Sequence, residues 1–232
     1  MGSDFMLDDA RMKQHRRWER YFKRNKERVR KLWRESYWRR RDRLLEIRRE
    51  RERQRRRRIK ALVIQHYGGR CVCCGEDIIE FLSIDHIGQD GSLQKRRHGI
   101  KGGTEFYCWI IKNNFPEGFR VLCYNCNKAI ALYGICPHSA IVDIKIAEER
   151  KQILRHYSWG HPLCSCCGEA NLALLSIDHI NGGGSRHFKQ VGWGTRFYKW
   201  VFKNNFPDGF QVLCFNCNLA KGFYGYCPHR QR

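Results

Sequence analysis

Two pairs of cysteines, Cys71-x-x-Cys74 and Cys123-x-x-Cys126, recur as Cys164-x-x-Cys167 and Cys214-x-x-Cys217. A two-residue gap in a tight turn lets both sulfurs reach one ion, and zinc prefers a closed tetrahedron of such ligands. The pattern predicts two structural Zn²⁺ sites of four thiolates each, the alternative being buried free thiols. Cys73 and Cys166 sit beside the proposed ligands and could replace one of them. Cys136 and His138, with Cys227 and His229, read as Cys-Pro-His turns that end each half structurally, or else as part of another metal site. Cys108 has no counterpart, Lys199 standing in its place, and reads as structural.

Between the cysteine pairs lie Ile84-Asp85-His86-Ile87 and Ile177-Asp178-His179-Ile180. Apolar and polar residues alternate there as on a strand that ends in a loop. Neighbouring side chains on a strand point to opposite faces, so carboxylate and imidazole are not expected to pair with each other. One can hold a hard cation while the other takes a proton. Asn127 and Asn218 follow the last cysteine of each set and offer a carboxamide oxygen, a ligand that Mg²⁺ accepts while keeping several waters. Closing each zinc tetrahedron brings that asparagine near the Asp-His segment, giving one such site per half. The competing reading is a turn capped by Asp-His and a helix started by Asn.

What must position these residues is an internal repeat. Cys71-Val-Cys-Cys-Gly-Glu returns as Cys164-Ser-Cys-Cys-Gly-Glu, and Leu82-Ser-Ile-Asp-His-Ile87 returns unchanged as Leu175 to Ile180, at an offset of 93. Lys112-Asn-Asn-Phe-Pro116, Val121-Leu-Cys-Tyr-Asn-Cys-Asn127 and Cys136-Pro-His138 return at an offset of 91. Ile64-Gln-His-Tyr67 aligns loosely with Leu154-Arg-His-Tyr157. The chain divides into a basic arm of residues 1–60 and two modules, 61–140 and 141–232. Modules of that size bury small cores and commonly need a metal as a staple.

Residues 11–60 hold 25 Lys+Arg against 7 Asp+Glu, so that segment carries +18 of the chain's net +22. A basic block of this kind points to a polyanion, because each neutralised phosphate releases condensed counterions. The arm lacks Gly and Pro and reads as one long helix, about 75 Å if unbroken at 1.5 Å per residue. Trp18, Phe22, Val29, Trp33 and Tyr37 form a stripe along it, expected to pack on the modules or on a second chain, with arginines around the rest free for phosphate contacts. No apolar run approaches the roughly 20 residues that span a bilayer, and no export signal is evident at Met1. All 13 cysteines follow the arm, which favours metal binding over disulfides.

The Cys-x-x-Cys, Asp-His, Leu-Cys-x-x-Cys-Asn order, present twice over residues 61–232, resembles the HNH or ββα-metal endonucleases and within them the phage recombination endonuclease VII group. The resemblance implies an α+β chain: two zinc-stabilised ββα-metal modules in tandem behind a long basic N-terminal helix. It implies that His86 and His179 act as general bases, and that Asp85 with Asn127, and Asp178 with Asn218, hold Mg²⁺ or another divalent cation. The cysteine tetrads would be its structural zinc ligands, and hydrolysis would leave 5′-phosphate and 3′-hydroxyl ends. The expected function is a metal-dependent DNA endonuclease acting on duplex or branched DNA, with a non-catalytic zinc protein that binds DNA or RNA as the alternative. The resemblance implies a cytoplasmic setting, in a bacterial cell or phage-infected host. No membrane partner is expected. The chain would act as a monomeric pseudo-dimer or as a homo-oligomer formed through the N-terminal helix.

Two departures from the family pattern and one difference between the copies stand out. Gly118 and Gly209 occupy positions where many members carry an asparagine, and Asn113, Asn114, Asn204 and Asn205 lie just upstream. An aromatic insert, Phe106-Tyr107-x-Trp109 and Phe197-Tyr198-x-Trp200, lengthens the gap between Asp-His and Asn and is expected in the core. After Ile180 the second copy has Asn181-Gly-Gly-Gly184, whereas the first has Gly88-Gln-Asp-Gly-Ser92 followed by Lys95-Arg-Arg-His98. If one copy is inactive, the first is expected to be.

Overall fold

The computed structural model describes residues 3–88, 99–100, 102–139 and 144–230, with side chains from residue 11 onward. The Lys95 to His98 segment lies outside the described residues. The chain falls into two compact units, Met1–Arg57 and Arg58–Arg232.

The first unit is helical, as its Arg-, Glu- and Leu-rich composition favours. It is not one straight rod. Helix α1 (Ser3–Arg24) stops at Asn25, and α2 (Lys26–His66) begins after it. Asn25 Nδ2 donates to the Tyr21 carbonyl at 3.0 Å. Trp18 and Trp33 are 15 residues apart, which would separate them by about 22 Å on a straight helix, yet their rings stack at 6.2 Å. Phe22 stacks on both, at 5.1 Å and 5.7 Å. The aromatic stripe thus folds back on itself at Asn25, which accounts for part of what was expected to cover a neighbour.

The second unit is α+β: two β-hairpin and helix modules, each with a four-cysteine cluster. In the first, β1 (Leu82–His86) pairs antiparallel with β2 (Phe119–Cys123), Leu82 opposite Cys123 and Asp85 opposite Arg120. Helix α3 (Thr104–Lys112) lies between them in sequence, and α4 (Tyr124–Tyr133) starts directly after β2. The second module has α5 (Glu148–His156), β3 (Leu175–His179), α6 (Gly184–Val191), α7 (Thr195–Lys203), β4 (Phe210–Cys214) and α8 (Phe215–Tyr224). Its hairpin repeats the register, Leu175 opposite Cys214 and Asp178 opposite Gln211.

The recurring motifs outside the cysteines hold the ends of each module together. Tyr67 Oη donates to the Pro116 carbonyl and Tyr157 Oη to the Pro207 carbonyl, each at 2.6 Å. His66 stacks on Phe115 at 4.0 Å, and His156 on Phe206 at 4.5 Å. Asn114 and Phe115, and Asn205 and Phe206, adopt left-handed backbone that turns the chain back after α3 and α7. Asn113 and Asn204 donate to the carbonyls of Trp109 and Trp200 in their own helices. These asparagines therefore end helices. The aromatic insert supplies Phe106 and Phe197 to the cores, with Tyr107, Trp109, Tyr198 and Trp200 packed against them.

The modules interlock. Leu174, from the second copy, is buried in the core of the first, and its counterpart Phe81 is buried in the core of the second. Lys60 Nζ donates to Tyr224 Oη at 2.9 Å, while Arg150, at the equivalent position, donates to Tyr133 Oη and to the Leu175 carbonyl. Such exchanged contacts are the pattern of a local two-fold axis, as at an isologous dimer interface.

Candidate metal centres and Asp-His sites

Each tetrad is assembled from two tight turns. Cys71 and Cys74 flank a knuckle in which the Gly75 N–H donates to the Cys71 carbonyl at 2.9 Å, with Gly75 at φ +78°. Gly168 repeats this at the same angle. The other pair sits where β2 becomes α4: the Cys126 N–H donates to Cys123 Sγ at 3.4 Å, and the Cys217 N–H does the same to Cys214 Sγ. The sulfurs of Cys71, Cys74, Cys123 and Cys126, and those of Cys164, Cys167, Cys214 and Cys217, each lie within 4.8 Å of one another. Cys74 and Cys123 are 3.7 Å apart and Cys167 and Cys214 3.8 Å. A tetrahedron with Zn–S of about 2.3 Å has an edge of about 3.8 Å, so the donor sets fit Zn²⁺. Hydrogen bonds from Cys123, Cys126 and Cys74 hold the Cys71 thiol far below its ordinary range, and Cys167 does most to lower Cys164, while hydrogen bonding within the same clusters pushes Cys126 and Cys217 up.

The Asp-His segments end the first strand of each hairpin, and alternation separates their side chains. Leu82, Ile84 and His86 are buried on β1, while Ser83 and Asp85 share the other, partly buried face. Asn127 lies on that second face: its Nδ2 donates to Ser83 Oγ at 3.2 Å, and Asn218 Nδ2 donates to Ser176 Oγ at 2.9 Å. Each serine hydroxyl already donates to a carbonyl across the hairpin, Leu122 at 3.1 Å or Leu213 at 2.9 Å. The serine must then accept from the amide, which fixes the amide's orientation and turns Oδ1 away from the serine. One carboxylate and one carboxamide oxygen from Asp and Asn suit a hard cation.

The two copies differ in what surrounds them. Asp85 Oδ2 accepts from Arg120 Nε at 2.8 Å. Asp178 accepts from Gln211 Nε2 at 2.7 Å and from Lys221, whose ammonium also reaches the carbonyls of His179 and Ile180 at 3.0 Å. His86 is 8% exposed and stacks on Phe106 at 5.2 Å. His179 is half-buried, with Nε2 2.8 Å from His187 Nδ1. Burial, and then the adjacent His187, lower its pKa below the ordinary histidine range. Gly184 permits this packing, since a Cβ there would stand 3.0 Å from His179 Nδ1. His187 and Lys221 carried no sequence signal, because Ile130 stands in the place of Lys221 and His187 lies where the copies stop aligning.

The metal clusters face a cleft of about 420 Å³ between the modules, lined by Cys74, Glu76, Asn125 and His138 and by their counterparts. Among the described residues no helix is long and apolar enough to cross a membrane. Comparisons with family models, with curated proteins and with solved structures find no match to this chain.

Proposed function

We propose that the chain is a metal-dependent endonuclease of the HNH type, hydrolysing phosphodiester bonds in DNA. The observation that carries this reading is the placement of Asp85 and Asn127, and of Asp178 and Asn218, on one face of a β-hairpin and helix unit, with a histidine ending the same strand. Asp85 with Asn127, and Asp178 with Asn218, would hold Mg²⁺ or a similar cation, which when bound neutralises charge on the phosphate and on the departing oxygen. Burial and His187 lower the pKa of His179, so its ring stays neutral near pH 7 and can accept a proton from water, while His187 Nδ1, 2.8 Å from Nε2, orients the ring. His86 has the equivalent strand position but a more enclosed ring, which supports the second module as the more active one. The arm's exposed arginines would grip phosphates irrespective of sequence.

A non-catalytic nucleic-acid binder is the second reading. One observation favours it: both carboxylates are already held by side-chain donors, Arg120 in one copy and Lys221 with Gln211 in the other. Cleavage of supercoiled plasmid and of a four-way junction in Mg²⁺ separates the two. The endonuclease reading expects His179→Ala to lower the rate 10²- to 10⁴-fold and the double variant with His86→Ala to abolish it. A protein that binds both DNAs and cuts neither would establish the binder.

A further inference from the structure

The tetrads do not account for the remaining repeated cysteines and histidines. Cys73, Cys126, Cys136 and His138 form a second set of four, all ligand atoms within 4.8 Å of one another, and Cys166, Cys217, Cys227 and His229 form the same set in the other module. Cys126 and Cys217 thus belong to two sets each. His138 Nδ1 lies 3.3 Å from Cys126 Sγ and 3.5 Å from Cys136 Sγ, and His229 Nδ1 lies 3.3 Å from Cys217 Sγ and 3.8 Å from Cys227 Sγ. A zinc ion at about 2.3 Å from sulfur and 2.0–2.1 Å from imidazole nitrogen sets S···N edges of about 3.6 Å. Three sulfurs and one imidazole at this spacing make a Cys₃His donor set, an ordinary closed zinc site.

We infer that each module holds two zinc ions joined by a shared thiolate, Cys126 in the first and Cys217 in the second, so that a full chain carries four. The knuckle explains how: Cys73 and Cys74 are adjacent, and the turn sends one to each ion, so Cys73 is a ligand of the second ion and does not substitute in the first tetrad. Cys126 and Cys217, at 0% exposure, stand between the two donor sets. The Cys-Pro-His segments are then the last ligands of each module, and not merely its ends. They also tie the clusters to the interlocked cores, because the His229 ring packs at 4.8 Å on Phe81 of the first copy. The inference is independent of whether the chain cleaves DNA.

The test is zinc counting on the purified full chain after dialysis against metal-free buffer, by elemental analysis and native mass spectrometry. Four zinc ions per chain are expected. Cys136→Ala with His138→Ala should lower the count to three, and adding Cys227→Ala with His229→Ala should lower it to two. Native alkylation of the two partly exposed ligands gives a readout that needs no variant: with four ions, Cys73 and Cys166 are protected. A wild-type chain with two zinc ions, or one in which Cys73 and Cys166 are alkylated, overturns the inference. The shared thiolate is tested by Co²⁺ replacement, since a bridge couples the two spins and weakens the paramagnetic signal per ion relative to the four-substitution variant. Equal signals per ion would overturn the bridge even at four ions per chain.

Discussion

Asn125 and Asn216 cap each other across the two modules: each backbone N–H donates to the other's Oδ1, both at 2.8 Å and both residues 5% exposed. Each lies in the first turn of its helix, α4 or α8, where backbone N–H groups have no partner within the helix. Replacing either by Ala leaves a buried N–H of the other unpaired, at an expected cost of about 1–3 kcal/mol. Urea unfolding of the zinc-loaded protein measures this, and variants as stable as wild type would show the pair to be dispensable. The double variant should depart from additivity, since the two bonds form one closed ring.

Lys60 should make stability depend on alkaline pH. Burial lowers its ammonium from 10.5 to about 8, with Glu80 opposing the shift. Between those values the unfolded chain keeps the proton and the folded one releases it, so the residue's contribution to stability rises with pH across that window and is lost as pH falls to 8. The full change is about 3 kcal/mol at most. Comparing wild type with Lys60→Met by denaturation at pH 8 and pH 10 cancels the tyrosines and thiolates common to both. The balance should move toward wild type at pH 10, and a constant difference would contradict the shift.

Gly75 and Gly168 each sit at φ +78° with open space where a Cβ would project. Gly75→Ala therefore adds backbone strain without a clash, about 1–2 kcal/mol. Gly75→Asn should cost less, because asparagine tolerates the left-handed region. Thermal melts of both variants decide this, and equal losses would mean that something other than φ is at stake.

The proposed binding to duplex DNA should be steeply salt-dependent. Replacing the exposed Arg16, Arg17, Arg20 and Arg24 with Gln in the full chain should reduce the slope of log K against log salt by up to about 3.6 if all four contact phosphates. An unchanged slope would remove that face of α1 from the DNA interface.

Much of this fold is legible in the sequence because a repeated metal motif carries its own geometry. Cys-x-x-Cys spacing specifies a turn and the 2.3 Å bonds specify the rest, so both tetrads and the hairpins that end in Cys123 and Cys214 could be anticipated. Strand alternation likewise separated Asp85 from His86. The break at Asn25 could not be seen, because asparagine is tolerated within helices and the fold-back is decided by stacking of Trp18, Phe22 and Trp33. Nor could the exchange of Phe81 and Leu174, since an apolar residue reads identically whichever core it enters. His187 and Lys221 became visible only in three dimensions, as neighbours of His179 and Asp178.

The lodging of Leu174 in the first core bears on how the chain matures on the ribosome. Synthesis delivers every cysteine of the first tetrad by residue 126, yet the apolar surface around it stays open until some fifty further residues have emerged. Metal capture in the first half would then precede its burial, leaving a nascent, zinc-loaded half-module with an apolar gap shaped for the second. Truncation between the copies would expose that gap permanently, so incomplete translation products should aggregate or be degraded instead of surviving as single-copy proteins.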